Sequence, residues 1–185
     1  MSQLTKLALE QALKNLLLKK SLSDITIKDI TDECGISRMT FYYHFKDVYD
    51  LVEWACYEDA SRALEGKKHY DNWQEGFLQI FEAVKDNKPF ILNVYHSVSR
   101  EQIENYLFRL TFDLLKGVVD EEAKGMTVRE EDKVFIADTY KYAFVGVMLD
   151  WINHDMLPDP KKIIDKLEKV VCGGFKSALE RFRLS

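Results

Sequence analysis

The residues of this chain best suited to chemistry with another molecule stand together in the run Ser37-Arg38-Met39-Thr40-Phe41-Tyr42-Tyr43-His44. Arginine presents a planar fork of donors that matches the acceptors of guanine, methionine packs on the methyl group of thymine, and the hydroxyls of Ser37, Thr40 and Tyr42 can donate to phosphates or base edges. If the run is helical, Phe41 and Phe45 lie one turn apart and anchor an inner face, which leaves Arg38, Met39, Tyr42 and His44 pointing away from the core. A short helix with such an exposed end fits the major groove of a duplex. The same residues also suit the surface of a helix pair that binds no nucleic acid, and spacing alone leaves both readings open.

Two short elements must position this run. Thr26 suits an N-cap, with Asp29 at capping-box spacing and Ile25 and Ile30 at the positions of a hydrophobic staple. The helix that starts there carries Ile27, Ile30 and Cys34 on one side and its charged residues elsewhere, and Gly35 is suited to a left-handed cap at its end. Ser37 caps the next helix so soon afterwards that the two must cross steeply, as in a helix-turn-helix. A first helix from about Gln3 to Lys20, with Leu9, Ala12, Leu13, Leu16 and Leu17 at helical spacing, covers the back of the pair, because two short helices alone bury too little apolar surface. Lys6 and Lys14 on that helix read as solvated surface.

From Ile25 to Leu51 the sequence resembles the TetR family of bacterial transcription regulators. Ile25-Thr26-Ile27, Asp29-Ile30, Gly35-Ile36-Ser37, Thr40-Phe41-Tyr42-Tyr43-His44-Phe45 and Leu51 stand as that family's pattern has them. The resemblance implies that Thr26, Lys28, Ser37, Arg38, Met39, Thr40, Tyr42, Tyr43 and His44 lie at positions that commonly face DNA. Where the family often carries a phosphate-binding lysine, this chain has Val48, and Lys46 nearby is the candidate replacement. Trp54 and Tyr70-Asp71-Asn72-Trp73-Gln74 bear a fainter resemblance to the branch that regulates dihydroxyacetone kinase genes, in which the effector can be a partner protein.

Of the 185 residues, 46% are apolar and 31% charged, and three prolines and eight glycines favour long helices over strands and turns. The fold class is therefore all-α, and the resemblance implies its division into an N-terminal three-helix helix-turn-helix head, residues 1–50, and a C-terminal helical bundle for ligand binding and dimerisation, residues 51–185. The formal charge of -5 is not carried by the head, which holds seven basic and seven acidic residues, but by the remainder, with 19 basic against 24 acidic. Affinity for a polyanion would then come from placed contacts and a doubled site, with moderate salt dependence.

Beyond the head, Lys46-Asp47 opens a connector helix through Leu51, Val52, Ala55 and Cys56 towards Leu64, with Trp54 packed. The polar stretch Gly66–Asn72 reads as a boundary, with Asn72 capping a helix that buries Trp73, Phe77, Ile80, Phe81 and Val84. Pro89 fits the first turn of the next helix, and Ser99 with Gln102 forms a capping box for a longer one that Gly125 closes. Thr127 with Glu130 reads as a further capping box, opening a helix that reaches about His154. Asp159-Pro160 opens a last apolar helix running to Phe182. Gly146, Gly173 and Gly174 inside these two suggest close packing or a kink.

The family resemblance implies a homodimer joined through the last two helices, with Val147, Trp151, Leu167, Val171, Gly174, Phe175 and Ala178 at the interface. It also implies a small-molecule or protein effector, with Phe77, Phe81, Tyr95, His96, Phe108, Phe112, Tyr140, Phe144 and Met148 as candidate lining residues and double-stranded operator DNA as the partner. Repression is the expected sign; an activator controlled by a partner protein, or a helical interaction module without DNA binding, stays as the alternative. No nucleotide-binding, hydrolase or metalloprotease motif occurs, the four histidines are scattered, and Cys34, Cys56 and Cys172 lack metal or disulfide spacing. The chain reads as neither an enzyme nor a cofactor or metal carrier. With no apolar run near 18 residues and no signal-peptide pattern, it reads as cytoplasmic with no membrane partner.

Overall fold

The computed structural model describes residues 2–64 and 73–184 of the chain. These are helical throughout, with no strand among the described residues. Ten α-helices follow in order: α1 Ser2–Leu17, α2 Ile27–Cys34, α3 Arg38–His44, α4 Val48–Leu64, α5 Trp73–Asp86, α6 Lys88–Ser97, α7 Arg100–Glu122, α8 Glu130–Asn153, α9 Pro160–Val171 and α10 Gly174–Phe182. A 3₁₀ turn, Leu22–Asp24, joins α1 to α2. The Gly66–Asn72 boundary, and with it the Asn72 cap, lies outside the described residues.

The chain divides into two compact units. One holds Met1–Asp59 together with Asn87–Ile103, and the other Ala60–Asp86 with Glu104–Ser185. The unit with the helix-turn-helix thus extends beyond residue 50 and takes in most of α4 and all of α6.

In this first unit, α1 buries Leu9, Leu13 and Leu17 against α2 and α3. The helix ends at Leu17, short of Lys20, in a tightened turn where the Leu16 carbonyl accepts the Lys19 amide at 2.9 Å as well as the Lys20 amide at 3.0 Å. Helix α4 starts from a double cap: the Asp47 carboxylate accepts the Asp50 amide at 2.9 Å, and the Asp50 carboxylate accepts the Lys46 amide at 2.8 Å. Leu51, Val52 and Ala55 are then fully buried. Lys14 is not solvated surface. Its ammonium pairs with Glu10 and with Asp59 of α4, both at 2.6 Å, and lies 5.6 Å from the ring centre of Phe90 on α6.

In the second unit an aromatic chain runs through the core. Phe77 meets Phe81 at 5.0 Å and Phe144 at 4.7 Å, and Phe81 meets Trp151 at 4.7 Å, in the edge-on and tilted geometries that aromatic quadrupoles favour. The Trp151 indole N–H is satisfied by the Pro158 carbonyl at 2.7 Å. Helix α8 packs on α10, and α5 on α9.

Two further features depart from the sequence reading. Glu130 does not close a box with Thr127. Arg129 is the N-cap and its side chain makes no capping hydrogen bond, and the Glu130 carboxylate instead pairs with Lys116 of α7 at 2.7 Å and Lys133 at 2.5 Å. Hydrogen bonds from those two ammonium groups lower its pKa. The second departure is that the last helix is broken: Gly173 adopts φ +68, a left-handed conformation that no helix interior can hold, and so separates α9 from α10. Gly174 does permit a close approach, since a Cβ there would sit 2.3 Å from the Tyr140 hydroxyl, whereas Gly146 has nothing within 4 Å.

One polar atom is stranded in this core. The Thr111 hydroxyl on α7 is buried with no hydrogen-bond partner among the described residues. Replacing Thr111 by the similarly shaped valine removes that group, and urea unfolding of the variant is expected to show a gain of about 1 kcal/mol.

Candidate nucleic-acid interface

Each cap expected of the helix-turn-helix is present. The Thr26 side chain accepts the Asp29 amide at 3.2 Å while the Asp29 carboxylate accepts the Thr26 amide at 2.8 Å, a complete capping box. These Thr26 hydrogen bonds, helped by Lys20 at 3.0 Å, keep the Asp29 carboxyl far below its ordinary range, so the cap stays charged in acid. Gly35 closes α2 at φ +69, and Ser37 caps α3 by accepting the Thr40 amide at 3.1 Å. The Ser37 and Thr40 hydroxyls lie 2.9 Å apart. Their mutual bond consumes one hydroxyl hydrogen and leaves the other free to donate outward.

Burial sorts α3 as its spacing implied. Phe41 is 0% and Phe45 3% exposed, whereas Met39 is 83%, Tyr43 82% and Tyr42 59% exposed. Arg38 is exposed and His44 half-buried, its ring edge-on to Tyr43 at 4.9 Å. Thr26, Lys28 and Lys46 are exposed, and the side chains of Lys28, Arg38 and Lys46 take part in no ion pair among the described residues. By contrast, Lys6 spends its charge inside the head, 5.5 Å from the ring centres of both Phe45 and Trp54. A helix of this length is about 10 Å long, comparable to the roughly 12 Å major groove. Large apolar side chains clustered beside free cations on so small an element mark a contact surface.

The remaining candidate residues are dispersed. Phe77, Phe81, Phe144 and Met148 have no exposed surface, and Phe108, Phe112 and Tyr140 are half-buried. Tyr95 and His96 lie on α6, in the first unit. Lys141 stands 5.0 and 5.5 Å from the ring centres of Phe108 and Phe112. Among the interface candidates, Trp151, Val171 and Phe175 are buried within the chain, and Val147, Leu167, Gly174 and Ala178 are half-buried. A cavity of about 450 Å³ opens elsewhere in the second unit, between the aromatic walls of Trp73 and Phe175 and the carboxylates of Glu121, Glu122 and Glu168. None of the nine effector candidates lines it, and its residues carry no helical periodicity that would have announced it. Among the described residues no group of three or more His, Cys, Asp or Glu could hold a metal ion, and no helix is long and apolar enough to cross a membrane.

An all-helical chain with a fully capped helix-turn-helix and an exposed, cation-flanked second helix has the build of a DNA-binding regulator. Residues 10–54 match the family model described as bacterial regulatory proteins, tetR family, and residues 71–173 match the one described as a transcriptional regulator C-terminal region. The chain belongs to the TetR family of bacterial transcriptional regulators. It is 25% identical to the HTH-type transcriptional regulator YerO of Bacillus subtilis (strain 168), over 89% of this chain and 63% of that protein. It is also 25% identical to DhaS of Lactococcus lactis subsp. lactis (strain IL1403), an activator of the dhaKLM operon, over 67% of this chain and 66% of that protein. The chain thus spans just under two thirds of these curated relatives. Its fold is shared by the solved dihydroxyacetone kinase operon activator DhaS, with a TM-score of 0.70 at 19% identity over 97% of this chain and 98% of that one. It is shared too by NalD, the secondary repressor of the MexAB-OprM efflux pump in Pseudomonas aeruginosa, with a TM-score of 0.57 at 15% identity over 99% and 97%.

Proposed function

We propose that the chain binds a palindromic operator as a homodimer and represses transcription under the control of an effector. The observation that carries this reading is the exposed end of α3, where Arg38, Met39, Tyr42 and Tyr43 project from a helix anchored by buried Phe41 and Phe45. Arg38 and Met39 read base edges; Ser37, Thr40, Tyr42, Tyr43, Thr26, Lys28, His44 and Lys46 supply the surrounding base and phosphate contacts. Residues 1–50 form the reading head, and residues 51–185 carry effector binding and dimerisation. The effector acts through the aromatic residues of the middle helices, among which Phe108, Phe112 and Tyr140 retain surface to offer. The second subunit docks on the last helices through Val147, Leu167, Gly174, Ala178 and their neighbours.

A second reading, activation through a partner protein, draws support from the likeness to DhaS in both sequence and fold. Sedimentation of the purified protein tests the shared core of both. Two protomers in solution and two on each selected duplex are expected, and a monomer in both conditions would contradict the reading.

Salt dependence adds a second expectation. With Lys28 and Lys46 on phosphates in each head and Arg38 on a base, a dimer neutralises about four phosphates, so log affinity falls against log salt with a slope of roughly −4. Anisotropy titrations across a salt series measure it. A slope beyond roughly −8 would mean that cations outside the helix-turn-helix carry the binding.

A further inference from the structure

Helix α1 ends without the usual means of satisfying its last carbonyls. Such ends need external hydrogen-bond donors, and Leu18-Lys19-Lys20-Ser21 offers no glycine for a left-handed cap. The partner comes from far along the chain. The Asn93 side-chain amide on α6 donates to the carbonyls of Leu17 and Lys20, both at 3.1 Å. Its oxygen accepts the Leu22 amide at 2.9 Å and the Ser97 hydroxyl at 3.3 Å. Two carbonyls on one side and two donors on the other fix the orientation of the amide and use its full bonding capacity. Leu22 itself is buried, so without Asn93 its N–H would be stranded away from water.

These bonds bear on the reading helix through a short path. Leu22 opens the 3₁₀ turn, whose Asp24 leads into Ile25 and the Thr26 cap of α2, and α2 sets the turn from which α3 projects. Helix α1, whose end Asn93 holds, packs against both α2 and α3. We propose that Asn93 is a positioning residue for DNA reading: it fixes the end of α1 and the start of the 3₁₀ turn, and thereby the aim of α3, although it lies outside the helix-turn-helix and touches no DNA. This rests on the DNA-reading function proposed above. It makes α6 a structural support of the head.

The test compares wild type with Asn93→Ala and with Asn93→Asp, an isostere that keeps the acceptor but turns a second oxygen toward the two carbonyls. Ser97→Ala, which removes only the orienting bond, is the control. In the full chain, amide exchange across residues 17–25 is expected to rise about tenfold in Asn93→Ala, with Leu22 included, and to rise less at Leu22 in Asn93→Asp, which keeps its acceptor, with residues 104–184 unchanged in both. Affinity for the duplex enriched by wild type falls about fivefold or more, while affinity for a scrambled duplex and the salt slope stay constant. An exchange increase spread evenly over the chain overturns the proposal. So does local loosening with unchanged preference for the enriched duplex. If wild type enriches no sequence, it is the DNA reading that fails, and the contrast in exchange alone decides whether Asn93 holds the turn.

Discussion

Phe41→Ala is expected to remove about 3–5 kcal/mol of stability from the unit that holds the helix-turn-helix, enough to abolish DNA binding. Phe41 is fully buried, with Tyr42 edge-on at 5.9 Å and Phe45 at 6.0 Å. Its helix is only seven residues long, far below the length at which a helix holds itself together in water, so α3 exists because it is capped by Ser37 and pinned by this ring. Truncation leaves a cavity where α1, α2 and α3 converge. Hydrogen exchange localises the effect: residues 27–45 lose protection while α8 and α10 keep theirs. Equal loss of protection in α8 would show that the two units unfold together and that Phe41 belongs to one shared cooperative core.

Arg38→Ala carries the second large effect, and it acts on recognition instead of folding. The guanidinium is exposed and takes part in no ion pair among the described residues, so its removal leaves no described partner unsatisfied and urea unfolding should be unchanged. Specific affinity is expected to fall by about 1–3 kcal/mol per head, with the preference for guanine at one position of each half-site relaxed. Titration of wild type and variant against the enriched duplex and against duplexes changed at that base measures both quantities. A uniform loss across all duplexes, with a shallower salt slope, would instead place Arg38 on a phosphate.

What was legible in the sequence follows the range of the interactions involved. Thr26 with Asp29, Gly35, Ser37, Pro89, Ser99 with Gln102, and Asp159 are local devices, set by a residue's own backbone preference or by a partner within four residues, and all stand where the sequence puts them. The inward faces of α3 and α5 were equally legible, since helical periodicity alone selects Phe41, Phe77, Ile80 and Phe81. Thr127 and Glu130 have capping-box spacing, yet lysines from α7 and α8 compete for the same carboxylate. Gly173 interrupts an apolar stripe that continues on both sides, so periodicity concealed the break. Lys6 and Lys14 look solvated in sequence because the rings and carboxylates that hold them come from α4 and α6. Asn93 is the extreme case: an ordinary polar residue in its own helix, it acquires its role from carbonyls more than seventy residues away.

The most direct test of the central claim is selection of the purified protein on a pool of random duplex DNA at near-physiological salt, sequenced in parallel for wild type and Arg38→Ala. Wild type is expected to enrich a palindrome whose half-sites lie about one helical turn, or a multiple of it, apart. The variant should recover the same spacing with one position of each half-site relaxed. Wild-type recovery of only sequence-blind, salt-sensitive binding would contradict the claim that the exposed end of α3 reads an operator.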